Sequence, residues 1–247
     1  MLPRRVLIIG GTGEARKLAE VLAAAGFATV TSLAGVTTSP LMPAGEVRHG
    51  GFGGAEGLGN YLRTGNFAAI VDASHPFAAR ISQNAYQAAA AAGLPYLRLE
   101  RPVWEPKDGD RWIGAASIAE AVAALPSAAR ALVTIGRKDI ALFFKRTDIG
   151  GVARMIEAPP ADVPERWDII RARPPFTLES EINLLRQHAI TYLVSKNAGG
   201  GDTYAKIEAA RETKIPVVML KRPAKPSAAT VASPDLLLGE LRRLLSA

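Results

Sequence analysis

Val6-Leu7-Ile8-Ile9-Gly10-Gly11-Thr12-Gly13-Glu14-Ala15-Arg16 governs the reading of the whole chain: a short apolar run feeds a glycine-rich turn, and a helical pattern follows. Such a turn lets backbone amides approach a pyrophosphate, and the helix behind it adds unpaired N–H groups and the positive end of its dipole. Counted from Gly11, Gly13 falls third and Arg16 sixth, so the turn is a variant of the dinucleotide fingerprint. A tight strand-to-helix turn that binds nothing is the simpler alternative.

Outward from this turn, apolar runs alternate with helical patterns, as a parallel α/β sheet requires, and the runs are too apolar for a sheet with one wet face. In the first half the expected strands are 6–9, 28–33, 68–72 and 96–99, with helices at 14–25, 55–63 and 77–92. A proline- and charge-rich passage at 101–112 reads as a linker, followed by a helix at 118–125. The second half repeats the pattern: strands at 131–135, 152–156, 192–195 and 217–220, and helices at 178–188, 204–213 and 234–245. The expectation is an α/β chain of two Rossmann-like halves, each a mainly parallel sheet flanked by helices, divided as 1–112 and 113–247.

Composition narrows the function classes. The chain has 247 residues, enough for one large or two small cores, and a formal net charge of +7 without a long Lys/Arg block. A dispersed basic surface suits a small polyanion or a nucleotide better than a nucleic-acid groove, and aromatics at 6% make base-stacking platforms a poor fit. The lack of cysteine removes disulfides, thiolate metal sites and thiol nucleophiles, and permits a reducing cytoplasm. His49 and His188 lack ligand-spaced acidic partners, so no metal is expected. No segment has the length and freedom from charge to span a bilayer, and Gly10-Gly11 interrupts the first apolar run too early for a signal peptide. A soluble, cytoplasmic protein is expected, with no nucleic-acid or membrane partner; the oligomeric state is left open.

Polar residues cluster at the carboxyl ends of the expected strands, where open α/β sheets bind ligands. Asp72-Ala73-Ser74-His75-Pro76-Phe77 closes one strand: Pro76 presets φ for a helix start, and Ser74 or His75 can face the crevice or serve only as cap and loop. Gly136-Arg137-Lys138 puts two cations at another strand end. Ser195-Lys196-Asn197 precedes Gly199-Gly200-Gly201, and Thr203 and Lys206 follow one turn apart. Lys196 with the glycine amides reads as an anion site, and the missing Lys-Ser/Thr ending disfavours triphosphate chemistry.

These segments together resemble the precorrin-6A reductase family of cobalamin biosynthesis. The resemblance rests on residues 9–16, Ser32-Leu33-Ala34-Gly35, Gly50-Gly51-Phe52-Gly53-Gly54, residues 72–78, Arg98-Leu99-Glu100-Arg101-Pro102, Thr134-Ile135-Gly136-Arg137-Lys138, residues 195–200 and Ile215-Pro216-Val217-Val218-Met219, in family order over nearly the whole length. It implies a two-domain enzyme that reduces a ring double bond of precorrin-6A with hydride from NADPH to give precorrin-6B, before cobalt is inserted. It also implies NADPH on the first half and the macrocycle in a cleft between the halves. Family members often carry Arg after Ser-Leu-Ala-Gly; here that position is Val36.

The residues agree with the implied cofactor on one independent point: Thr31-Ser32-Leu33-Ala34-Gly35 contains no Asp or Glu to hold a ribose 2′-hydroxyl and repel a 2′-phosphate. The cofactor-side candidates are Gly10, Gly11, Thr12, Gly13, Glu14, Ser32, Gly35, Thr37, Ala73 and Ser74, with Ser32 and Thr37 the candidates to hold the 2′-phosphate. Arg137, Lys138, Asn197, Gly199, Gly200, Thr203 and Lys206 are the substrate-side candidates, opposite the carboxylates of a tetrapyrrole. His75 and Lys196 are the candidate catalytic proton donors, and water is an equal alternative. A nucleotide-sugar or methyl-group transferase, or a non-catalytic NADPH-binding protein, would use a similar first turn; the spread of family-like segments over both halves argues against each, and a non-catalytic binder has no need of the cationic strand ends in the second half.

Overall fold

The computed structural model of the protein describes residues 4–34, 41–160 and 162–246. Along them run β1 (Arg5–Ile9), α1 (Gly13–Ala24), β2 (Ala28–Leu33), β3 (Glu46–His49), α2 (Gly54–Thr64), β4 (Phe67–Asp72), α3 (Ala79–Ala92) and β5 (Tyr96–Leu99). Then come β6 (Trp112–Ala115), α4 (Ile118–Ala123), β7 (Arg130–Val133), α5 (Ala141–Phe144), β8 (Gly150–Met155), β9 (Trp167–Arg171) and α6 (Leu178–Gln187). The last are β10 (Tyr192–Lys196), α7 (Ala205–Glu212), β11 (Val217–Leu220), β12 (Ala229–Val231) and α8 (Pro234–Ser246).

Two compact units result. The first is Met1–Pro102 with Pro223–Ala247, the second Val103–Arg222. In the first unit a sheet of order β12-β5-β4-β1-β2-β3 pairs in parallel throughout. Alternation along β1 explains its two covered faces: Val6 and Ile8 join Leu18 and Leu22 of α1 and Leu237 and Leu241 of α8. Leu7 and Ile9 face the other way and join Leu58 and Leu62 of α2 and Ala85, Ala88 and Ala89 of α3. With helices on both faces, the strand has no wet side, which is why it reads as an unbroken apolar run.

The second unit repeats the plan with order β6-β11-β10-β7-β8-β9, again all parallel. One of its apolar clusters combines Leu132, Val152, Leu193 and Val217 from the strands with Leu185 of α6 and Ile207 of α7. Arg154 and Glu181, both buried, form an ion pair at 2.5 Å there, with the guanidinium also over the Phe176 ring at 3.9 Å. Two Rossmann-like halves, each a parallel sheet flanked by helices, are thus the architecture.

The division differs from the expected 112/113 boundary. β6 follows the first unit's β5 in sequence but pairs with β11, whereas β12 follows β11 but pairs with β5. Each sheet therefore takes its last edge strand from the far end of the other's run, and α8 returns with β12 to cover α1. The strands not expected from sequence are β3, β6, β9 and β12, and these are the edges of the two sheets. Among the described residues no helix is long and apolar enough to cross a membrane.

Candidate functional site

In the first unit the chain reverses direction across the sheet between β1 and β4, the place where such sheets receive ligands. The turn after β1 is built for that edge. Gly10 donates its N–H to the Ser32 carbonyl at 2.9 Å, and a Cβ on Gly10 would stand 2.6 Å from the Thr31 methyl, so only glycine lies this close to β2. Gly11 has φ +104°, and a Cβ placed on it meets nothing within 4 Å. The outer side of the turn is open backbone, as the approach of a phosphate requires.

Thr12 caps α1 and fastens it to the neighbouring strand. Its Oγ1 accepts from the Ala15 N–H at 3.0 Å and donates to the Ala73 carbonyl at 2.8 Å, just beyond β4. Thr12, Glu14, Ala73, Ser74, Pro76, Leu99, Glu100 and Arg101 line a small, open hollow. Gly10, Gly11, Thr12, Gly13, Glu14, Ala73 and Ser74 are thereby brought to one edge. Gly35 and Thr37, like Val36, lie outside the described residues. Ser32 is buried at the end of β2, where its hydroxyl accepts from Arg48 at 3.4 Å.

Glu14 would oppose an anion at this helix terminus, but Arg101 reaches both of its carboxylate oxygens at 2.7 Å. Burial pushes the Glu14 carboxyl upward, and the Arg101 guanidinium more than offsets it, holding the group below its usual value. Arg101, absent from the expected site, is thus a cation held at the mouth of the turn.

Beneath the loop after β4 lies a buried charge network. Asp72 accepts from the Ser74 N–H at 3.0 Å and the Tyr96 hydroxyl at 3.0 Å. The Lys225 ammonium lies 3.9 Å from Asp72 and 3.8 Å from Glu100, and donates to the His75 carbonyl at 3.4 Å. Arg98 pairs with Glu100 and donates to the Pro226 carbonyl. Burial pushes the Asp72 carboxyl up, but Lys225 and the serine hydrogen bonds hold it below its ordinary value; the same burial, with Asp72 beside it, pushes the Tyr96 hydroxyl upward. Lys225 escaped the sequence reading because it reaches His75 from 150 positions away. The His75 Nδ1 accepts from the Phe77 N–H at 3.2 Å.

The second unit brings its candidates to the ends of adjacent strands, β7 and β10. The Lys196 ammonium bridges them, donating to the Ile135 carbonyl at 2.7 Å and to Asp139 at 3.3 Å, beside the turn that carries Arg137 and Lys138. The Asn197 side chain exchanges hydrogen bonds with the Trp104 backbone at 2.8 and 2.9 Å, and the Trp104 indole donates to the Gly200 carbonyl at 2.8 Å. Arg222 donates to the carbonyls of Asn197 and Ala198, each at 2.9 Å. Lys206 is buried; its ammonium donates to the Thr203 carbonyl at 2.7 Å and lies 4.9 Å from the Trp104 ring centroid. The stretch 197–203 is therefore held through carbonyls of Asn197, Ala198, Gly200 and Thr203, with Gly199 and Gly200 at φ +70° and +75°. No group of side chains among the described residues is arranged to hold a metal ion.

The open turn at the switch point fits the phosphates of a dinucleotide, and the absence of an acid from β2 fits one that carries a 2′-phosphate. Comparison with known proteins points to a reductase. A "Precorrin-6A reductase" of Rhodococcus erythropolis is 46% identical over 226 residues, 91% of each chain. One of Rhodobacter capsulatus is 40% identical over 240 residues, 96% of this chain and 95% of the relative. The solved structure of a "CobK precorrin-6A reductase" superposes with a TM-score of 0.92 at 39% identity, covering 97% of this chain and 96% of that one. The family model described as "Precorrin-6x reductase CbiJ/CobK" matches residues 5–241. With both units matched in sequence and fold, the chain belongs to the precorrin-6x reductase family.

Proposed function

We propose that this chain reduces one ring double bond of precorrin-6A, by hydride transfer from NADPH, to give precorrin-6B in cobalamin biosynthesis before cobalt insertion, in the cytoplasm. The observation that carries the cofactor half is the open Gly10-Gly11 turn ahead of a capped helix, beside a β2 end without an acid. The first unit is the NADPH unit and the second the tetrapyrrole unit in this reading.

Bound at this edge, NADPH supplies the hydride. The chain's own part is positioning and charge. The amides of residues 10–13 and the α1 terminus receive the phosphates, and Thr12 holds that terminus against β4. Arg101 neutralises Glu14, so that the carboxylate does not repel the phosphates. Lys225 and Asp72 fix the backbone of Ser74 and His75, so that the loop after β4 keeps its place along the hollow. In the second unit Arg137, Lys138 and Lys196 face the substrate's carboxylates, with the amides of Gly199 and Gly200 beside them, while Asn197, Thr203 and Lys206 hold the turn. The proton that completes the reduction comes from Lys196, from His75 when its ring is charged, or from water.

The test is the absorbance of the NADPH band when purified protein, NADPH and precorrin-6A are mixed without oxygen, with NADH in parallel. Loss of the band with a shift of the macrocycle spectrum, faster with NADPH, is the expected result. Cofactor that binds without being oxidised would overturn the assignment of a reductase.

A further inference from the structure

The edge that a 2′-phosphate would reach holds one cation that neither the expected site nor the family comparison names. Arg48 lies in β3 directly opposite Ser32 in the parallel register, at the carboxyl end of the sheet. Its Nη1 donates to the Gly50 carbonyl at 2.7 Å and to the Ser32 hydroxyl at 3.4 Å, and its Nη2 donates to the Gly51 carbonyl at 2.7 Å. The guanidinium carbon stands 3.8 Å from the Phe52 ring centroid and 5.2 Å from that of Tyr61. Two carbonyls and two aromatic rings thus orient a planar fork whose donors these bonds use only in part.

In a sheet of this order the adenosine ribose lies at the end of β2, where an acid selects NAD and an arginine accommodates the 2′-phosphate. β2 itself is Ala-Thr-Val-Thr-Ser-Leu, without charge, so a cation for the 2′-phosphate is not supplied by this strand. The acid on β3, Glu46, lies toward the other end of that strand and is paired with Arg5 at 2.9 Å. We infer that Arg48, steadied by Phe52 and Tyr61 and touching Ser32, is the residue that receives the 2′-phosphate and selects NADPH over NADH. The assignment rests on the NADPH reading above and deepens it.

Direct binding of NADP+ and NAD+ to the full-length protein, measured by titration calorimetry without tetrapyrrole, tests it. Wild type should bind NADP+ at least about 10-fold more tightly than NAD+, the range of a hydrogen bond to a charged group. Arg48→Gln should lose most of that preference, with NAD+ affinity held within about 2-fold, because only the 2′-phosphate contact is removed. Arg48→Lys, which keeps the charge but not the fork, should fall between the two, and it carries the test if the glutamine variant does not fold. A variant that keeps the full preference, or loses NAD+ and NADP+ equally, overturns the role of Arg48 and leaves the NADPH reading standing. Wild type that binds neither nucleotide would overturn both.

Discussion

The glycine turn at residues 10–13 and the one at 199–201 each follow a central strand of a parallel sheet and each precede a helix, yet the chain uses their backbones in opposite ways. At the first, the fastening comes from behind: Gly10 is tied to β2, Thr12 is tied to the loop after β4, and the outer side of Gly11 is open. At the second, side-chain donors grip the carbonyls, Trp104 on Gly200 and Arg222 on Asn197 and Ala198. Glycine in both cases supplies the positive φ that other residues resist. What separates a cradle from a braced turn is where the surrounding donors point, and that is a property of distant residues.

The sharpest way to break this comparison is Trp104→Ala. Loss of a buried aromatic with its indole bond should destabilise the second unit by about 4 kcal/mol, read from urea unfolding, while NADP+ affinity of the folded protein stays within about 2-fold of wild type. A large loss of nucleotide affinity would show that the braced turn is part of the cofactor site.

Lys225→Met comes next. It leaves Asp72 and Glu100 buried without their ammonium partner and should cost about 3 kcal/mol, with a rise in KM for NADPH larger than the fall in kcat. The same network gives a pH signature. Asp72 and Glu14 are held below their ordinary values in the fold, so the stability that they contribute is complete above the ordinary carboxylate range of about pH 4 and is lost as pH falls through the folded values. Wild-type unfolding free energy should therefore drop on acidification, and Asp72→Asn should flatten part of that slope; an unchanged slope would remove Asp72 from the account.

The smallest effect is expected at Thr12→Ala, about 1 kcal/mol from the lost cap. Because Thr12 also holds the helix terminus to Ala73, the variant should weaken NADP+ binding measurably more than that modest loss of stability suggests. Equal NADP+ binding by the variant would show that the terminus holds its place without the bond to Ala73.

The central strands were legible because burial on both faces writes itself as an apolar run, as in β1 and β4, and their order along the chain gave the two-sheet plan. The edges were not. β3 is Glu-Val-Arg-His and β12 only Ala-Thr-Val, so neither carries the apolar signal of a strand with two neighbours. The site followed the same rule: Gly10, Gly11 and Thr12 announce themselves locally, whereas Arg48 and Lys225 matter through partners that only the folded sheet supplies. The expected 112/113 boundary missed because nothing in a three-residue strand says which sheet it completes.

The traded edges, β6 and β12, also bear on how the chain is made. A ribosome delivers the first unit's five strands early, but the edge beside β5 and the helix over α1 emerge only with residues 229–246. Until then the nascent sheet carries an uncovered edge and an apolar helix face, both invitations to wrong pairing. The second unit, with β6 made before its neighbour β11, is under no such delay. Maturation of the first unit is thus the late event of synthesis, and a truncation at the C-terminus strikes the N-terminal unit first.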